Sequence, residues 1–307
     1  MTRIANYASY QTILLEFTRN QRDIFETQRQ VSTGKVAQDY KGIGDDVSLL
    51  LSSKDAAARA DRYIDLGKQV QTRIDLQDVT LESFASSAGD LRQAVTEAVA
   101  QNSGLVLMER LQSVLSTAVS ALNSEIDGHY VFAGTRTDTP PVNISTLADL
   151  QAAPAVADIF DNNGVRPAIN IDENLTIEYG FLANEVGQDL FQALRDIADF
   201  NSGPNGPFGT ELTDAQATFL QGLLPTLEAV GDSANEVVGQ NGVFFNEVED
   251  AMVRNERRRD YMLAVVADIE DVDMAAAVTK LNEDQIAAEA TAKVLADMSR
   301  LSLLQFL

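Results

Sequence analysis

The sequence predicts a mainly α protein: a long helical hairpin or bundle rod, with paired N- and C-terminal coiled-coil helices and a small β-rich inserted outer domain. Three observations carry this reading. The segment from Asp271 to Leu307 contains no proline or glycine, and Met274, Val278, Leu281, Gln285, Ala288, Ala292 and Leu295 recur there in alternating steps of four and three. That spacing is a heptad seam, interrupted only by Gln285. All seven prolines fall between residues 140 and 225, so both flanks lack the strongest helix breaker. Residues 137–253 also hold 19 Asp and Glu against only Arg166 and Arg195, which sets an acidic centre apart from nearly balanced arms.

The N-terminal arm repeats the heptad theme. Tyr10, Phe17, Ile24 and Val31 stand seven apart, with Ile13 and Leu14 filling the first turn, and the helix is expected to end near Ser32-Thr33-Gly34. Its other seam position reads Ile13, Asn20, Thr27, so half the stripe is polar. Such a helix is marginal alone and needs a partner, for which the C-terminal seam is the candidate. Residues 35–46 form a polar, glycine-bearing break. Gly34-Lys35 does not make a phosphate loop, because Arg29 and Val36 stand where that motif requires glycine and a hydroxyl.

From Asp45 or Asp46, the expected N-cap, a helical stripe runs from Leu50 to Ala98, about 80 Å of helix if unbroken, with Gly67 and Gly89 as sites of bending. Asn102-Ser103-Gly104 turns the chain. Leu107, Leu111, Leu115, Val119 and Leu122 then give a second helix ending at Gly128, which completes an αα-hairpin. The texture becomes β-prone at Tyr130–Gly134. Beyond Pro140-Pro141, the runs 156–160, 165–171 and 175–181 read as a three-stranded meander, with an Asn163-Gly164 turn and Pro167 on an edge strand. A short helix is expected at 147–153.

Residues 186–200 return to helical spacing, and 201–209 form a loop by composition. Thr213 opens a return helix that passes Leu223, Leu227, Val237 and Val248, with a kink or break expected at Pro225. Arg254-Asn255-Glu256-Arg257-Arg258-Arg259 is the one dense basic cluster: either the partner of an acidic surface across a subunit interface or a solvated helix face. The C-terminal stripe shifts to Val294, Met298 and Leu301 as a straight helix drifts off a seven-residue repeat. The chain finishes on Leu303-Leu304-Gln305-Phe306-Leu307, apolar residues that ask to be covered.

Composition excludes several functions. With no cysteine there is no disulfide, thiolate metal site or cysteine nucleophile, and the single His129 leaves little for a triad or zinc site. A net charge of −23 argues against nucleic-acid partners and anionic membrane surfaces, and no apolar run reaches membrane-spanning length, so no membrane insertion is expected. Met1–Asn6 has no apolar core of a cleavable signal, so any export is expected by another route. Asp268, Glu270, Asp271 and Asp273 lie in helical context with no glycine where a calcium loop must turn. Asn143-Ile144-Ser145 and Asn174-Leu175-Thr176 match the N-glycosylation triplet, a weak signal without the right host. No cofactor and no catalytic residue is expected. A hydrolase using paired acids in the acidic centre is the remaining enzymatic alternative.

The order of parts resembles a known family. An N-terminal amphipathic helix leads into Ser32-Thr33-Gly34-Lys35 and Asp45-Asp46, then a helical hairpin, a variable insertion and a return helix. The final arm runs from Asp268-Ile269-Glu270-Asp271-Val272-Asp273-Met274-Ala275 to Leu301-Ser302-Leu303-Leu304. This pattern is similar to the bacterial flagellin superfamily. Gly128-His129-Tyr130-Val131-Phe132-Ala133-Gly134, with Thr135 and Pro140-Pro141, resembles its hook–filament junction members.

The resemblance implies a non-enzymatic structural protein of the extracellular flagellum. It would be exported unfolded by the flagellar type III apparatus with an export chaperone. It would self-associate and join the hook-associated protein FlgK to flagellin; a filament-forming flagellin is the alternative within the superfamily. Terminal arms 1–34 and 271–307 would form an inner assembly domain, 35–139 with 176–270 a helical domain, and 140–175 the outer insertion. The assembly interface is expected at Tyr10, Ile13, Phe17, Ile24 and Val31 in one arm. In the other arm it is expected at Met274, Val278, Leu281, Leu295, Met298, Leu301, Leu304 and Phe306.

Overall fold

The computed structural model describes the backbone of residues 2–173 and 175–304 and the side chains of 8–173 and 175–298. The fold is mainly α with two short two-stranded sheets among those residues. The chain divides into two compact units, residues 1–59 with 257–307 and residues 60–256. Helices α3 (Val47–Ala100) and α7 (Asp214–Glu270) each lend a stretch to both.

In the first unit, α1 (Thr2–Thr33) packs along α8 (Met274–Leu304). Helix α1 stops where its composition indicates: Gly34 takes φ +70° and its N–H reaches the Gln30 carbonyl at 2.8 Å, a left-handed cap that side chains resist. The polar break that follows contains α2 (Tyr40–Ile43), capped by the Asp39 carboxylate on the Gly42 N–H at 2.9 Å. Asp45 and Asp46 are not the caps expected for α3. They lie inside a 3-10 turn, Gly44–Asp46, that feeds directly into the helix, and the Val47 N–H goes to the Gly44 carbonyl.

The second unit is a helical core. Leu81, Phe84 and Leu91 of α3 meet Leu111, Leu115 and Leu122 of α4 (Leu107–Leu122), and Leu190, Phe191, Leu194 and Ile197 of α6 (Ala183–Ser202). Leu220 and Leu227 of α7 close it. Each fully buried Leu, Ile or Phe stabilises by about 1.5–3 kcal/mol, so this core outweighs every polar contact around it. Thr213 and Gln216 start α7 reciprocally, Thr213 N–H to Gln216 Oε1 at 3.0 Å and Gln216 N–H to Thr213 Oγ1 at 3.3 Å. The helix then runs unbroken through Pro225, which removes the break from the two expected alternatives. Pro225 and Gln221 are exposed while Leu227 and Val230 are buried, so the carbonyl freed by the missing N–H belongs to a solvent-facing turn.

Two β features differ from the sequence reading. The helix expected to end at Gly128 stops at Leu122, and β1 (Glu125–Ile126) pairs with β2 (His129–Tyr130) around Asp127-Gly128. Both turn residues have positive φ, +51° and +77°, the geometry of a two-residue Asp-Gly hairpin. The three-stranded meander reduces to one hairpin, β3 (Ala168–Asp172) with β4 (Leu175–Glu178). Residues Val156–Ile159 form a 3-10 turn instead of a strand, since Val156 and Ile159 bury together three residues apart and Asp158 caps the Ala155 N–H. The short helix is α5 (Leu147–Ala152), with Thr146 and Asp149 as a capping box.

A buried asparagine fixes the hairpin to α7: Asn255 Nδ2 donates to the Ile171 carbonyl at 2.9 Å. The glycine of the Tyr130–Gly134 run is fixed just as tightly. Gly134 has φ +69°, and a Cβ there would stand 2.2 Å from Asn163 Oδ1 and 2.7 Å from the Val165 carbonyl oxygen. Gly134→Ala therefore adds backbone strain to a steric clash and is expected to destabilise the protein by about 2 kcal/mol or more, read as a lowered midpoint in thermal unfolding. An unchanged midpoint would show that the loop repacks freely.

Candidate assembly interface

The α1–α8 pair is the region the sequence marks for function, and its register is set by polar groups. Asn20 Nδ2 donates to Thr291 Oγ1 at 3.1 Å, and Thr27 Oγ1 donates toward Asp284 Oδ2 at 3.2 Å. Seven residues separate the two contacts on each helix, running in opposite directions, so the helices are antiparallel and in heptad register. Along α1 the covered positions include Ile13, Phe17, Asn20, Ile24, Thr27 and Val31; along α8 they are Ala277, Leu281, Asp284, Ala288, Thr291, Leu295 and Met298. Polar residues of one helix thus answer polar residues of the other. Each such bond contributes about 1 kcal/mol; in a slipped register the Thr27 and Thr291 hydroxyls keep their bonds to the Asp23 and Ala287 carbonyls, while Asn20 and Asp284 lose these partners.

Not every expected seam residue sits in this groove. Ile13, Phe17, Ile24, Val31, Leu281, Leu295 and Met298 are half-buried between the helices. Tyr10 is at the margin, and Met274 and Val278 are 45% and 42% exposed. The second stripe of α8 is 277, 284, 291 and 298, one residue before the 278, 285 and 292 that the sequence suggests. The reason is the partner: Asn20 and Thr27 demand Thr291 and Asp284, which an apolar count passes over. The heptad continues to Met298 with Val294 exposed, so no drift to a second stripe occurs among the described residues. Leu301 and Leu304 have side chains outside the described set, and Phe306 lies outside the described residues.

Two helices cannot cover each other's outer faces. In the register that the polar pairs set, Phe25 stands level with Ile286, and these two are 66% and 68% exposed. Leu15, Val278 and Val294 add to the uncovered apolar surface.

At their base the arms are clasped. The Val36 N–H donates to the Glu270 carbonyl at 2.7 Å and the Val272 N–H to the Gly34 carbonyl at 2.9 Å, making a one-rung antiparallel bridge between Lys35 and Asp271. Lys35 Nζ lies 2.6 Å from Asp271 Oδ1 and 3.5 Å from Glu270 Oε2, and Lys54 pairs with Glu270 Oε1. Lys35 therefore holds two chain segments together, and no phosphate-loop role is needed to explain it. Hydrogen bonding to Asp271 raises the Lys35 pKa, and hydrogen bonding from Lys54, then from Lys35, holds the Glu270 carboxyl below its usual range against the opposing effect of burial.

The sign follows from those directions. Glu270 stabilises fully above its unfolded pKa near 4.5 and loses that contribution as pH falls through its lower folded value. Lys35 stabilises below its unfolded value near 10.5 and loses its contribution as pH rises through the raised one. Glu270→Gln should cost the clasp about 1 kcal/mol at neutral pH, measured as roughly fivefold faster hydrogen exchange at the Val36 and Val272 amides. The gap between variant and wild type should close as pH falls below about 4.5; a pH-independent gap would assign it to shape instead of charge.

Elsewhere the chemistry is sparse. Among the described residues no group of three or more His, Asp and Glu is placed to hold a metal ion, and no helix is long and apolar enough to cross a membrane. His129 is exposed, with Nδ1 3.1 Å from Thr137 Oγ1. Asn143 of the first glycosylation triplet donates to Asp161 Oδ2 at 2.9 Å, and Asn174 of the second lies outside the described residues.

The family model for the bacterial flagellin C-terminal helical region matches residues 230–307, a span that includes α8 and the clasp's Glu270 and Asp271. No curated protein matches the sequence. Among solved structures, one assigned as a flagellar hook-associated protein from Vibrio parahaemolyticus aligns with TM-score 0.59 at 14% identity, over 75% of this chain and 98% of that one. FlgL from Bacillus cereus aligns with TM-score 0.52 at 13% identity, over 70% of this chain and 96% of that one. Residues 230–307 thus match the flagellin C-terminal helical region, and the chain shares its fold with these two structures.

Proposed function

We propose that this chain is a structural subunit of the bacterial flagellum that acts as a junction adaptor between a hook-associated protein such as FlgK and the flagellin filament. The observation that carries the reading is the arm pair. Its register is specified by half-buried polar contacts, yet its outer faces leave Leu15, Phe25, Ile286 and Val294 in water. A helix pair so well registered and so poorly covered is completed by neighbours. The flagellin match over 230–307 and the hook-associated fold support the same reading. A filament-forming flagellin draws on that C-terminal match too, and the length of the polymer that forms separates the two.

In this reading the arms, 1–34 and 271–307, form the inner assembly domain, 35–139 with 176–270 the helical body, and 140–175 the outer insertion. The chain leaves the cell unfolded through the flagellar type III apparatus, escorted by a chaperone, and its arms gain full order only on assembly. Self-association then uses Tyr10, Met274 and Val278 at the margins of the arm seam, and Leu301, Leu304 and Phe306 at the C-terminal end.

Phe17→Asp or Leu295→Asp places an unpaired charge in the seam, and deletion of Ser299–Leu307 removes the apolar tail. Each is expected to leave residues 60–256 folded while abolishing flagellar assembly and motility. The checks are circular dichroism of the purified variants and swimming of cells that carry them. Normal motility from either point variant would sink the paired-arm account.

A further inference from the structure

The Gly128–Gly134 stretch has no part in the arm pair. It forms one wall of a small pocket that lies wholly within the second unit. Helix α3 contributes Arg73 and Gln77, the β1–β2 hairpin contributes His129 and Tyr130, and Thr137 and Tyr179 complete the lining. Two backbone hydrogen bonds fix the rim, Tyr130 N–H to the Thr137 carbonyl at 2.8 Å and Tyr179 N–H to the Pro167 carbonyl at 3.0 Å. The space inside is about 20 Å³, room for one or two water-sized groups.

Three features give this pocket a preference. No Asp or Glu lines it, in a chain where 46 acids stand against 23 Lys and Arg. Arg73 is half-buried, and the residues three and four away on its helix are Gln69, Val70, Leu76 and Gln77, none of them an acid. Its guanidinium has one polar contact among the described residues, from Nη1 to Tyr179 Oη at 3.5 Å. Gln77 is 1% exposed, and its Oε1 has no hydrogen-bond partner among those residues. A partly desolvated cation without a counter-ion and a buried polar atom without a partner both call for a polar guest.

We infer that this pocket binds a carboxylate head group. The planar fork of Arg73 matches the two oxygens of one carboxylate, and a single guanidinium balances one negative charge, not the two of a phosphate dianion. The hydroxyls of Thr137 and Tyr179 supply further donors, and the Gln77 amide supplies another when turned end for end. So small a pocket admits the head group and leaves the rest of the molecule outside. The carboxylate therefore belongs to a small free acid or to an Asp or Glu side chain of a second copy. Binding here is independent of the arms, so the pocket and the assembly reading stand or fall separately.

The probe is acetate. Sodium acetate replaces sodium chloride at constant ionic strength and neutral pH while the amide resonances of Tyr130, Thr137 and Tyr179 are followed in the full-length chain. The shifts should saturate with a Kd of about 1–10 mM, within reach of so small a ligand. R73M should weaken binding about tenfold or more, and R73K, which keeps the charge without the fork, by a smaller factor. Circular dichroism checks the fold of both variants, and R73K carries the comparison if R73M does not fold. Shifts that rise linearly with acetate, or that saturate alike in wild type and the Arg73 variants, overturn the inference. Sedimentation velocity under the same exchange separates the two sources. Self-association that acetate weakens in wild type but not in the variants assigns the carboxylate to a second copy. Association that is absent or indifferent to acetate assigns it to a free acid.

Discussion

The arm pair depends on matching two kinds of position at once. Apolar seam residues draw α1 and α8 together, but apolar layers are interchangeable and tolerate a shift by a heptad. Asn20 with Thr291 and Thr27 with Asp284 are not interchangeable, because a slip takes from Asn20 and Asp284 their partners on the other helix. The polar half of the seam thus lowers the intrinsic stability of each helix while it fixes which residue faces which.

The clasp at Gly34–Val36 and Glu270–Val272 supplies the other constraint. It brings the end of α1 beside the start of α8 with two backbone hydrogen bonds and a shared set of charges. Once those ends are held, the effective concentration of one arm for the other is high, and the half-buried seam suffices to pair them. The arms add little buried area of their own, whereas residues 60–256 bury Phe84, Leu115, Leu190 and Phe191 completely. Stability is therefore concentrated in the second unit, while the first leaves Phe25 and Ile286 largely exposed.

Much of this was legible in the sequence. The heptad spacing of Phe17, Ile24 and Val31, the Gly34 cap, the confinement of proline to the centre and the Thr213 start of α7 are local signals, and the structure places them as their physical chemistry requires. What was not legible depended on distant partners. The seam of α8 includes Asp284 and Thr291, which look like surface residues until Thr27 and Asn20 stand opposite. The run at 156–160 has strand composition, but Val156 and Ile159 bury on one side of a 3-10 turn because the helical core is there to receive them. The Asp127-Gly128 hairpin was a local signal overlooked, hidden by its position at the end of a helical stripe. Asn255 likewise reads as one more polar residue beside an arginine cluster, and only the Ile171 carbonyl explains its burial.

The most direct test of the central claim, that the arms are the weakly covered part of a chain whose core lies in residues 60–256, is limited proteolysis of the purified monomer with masses of the surviving fragment. The account predicts early cuts on both sides, leaving a resistant fragment that begins between residues 34 and 60 and ends between 257 and 273. A full-length chain that resists cleavage as long as its centre does would mean that the arms are complete in the monomer, and the assembly account would fail.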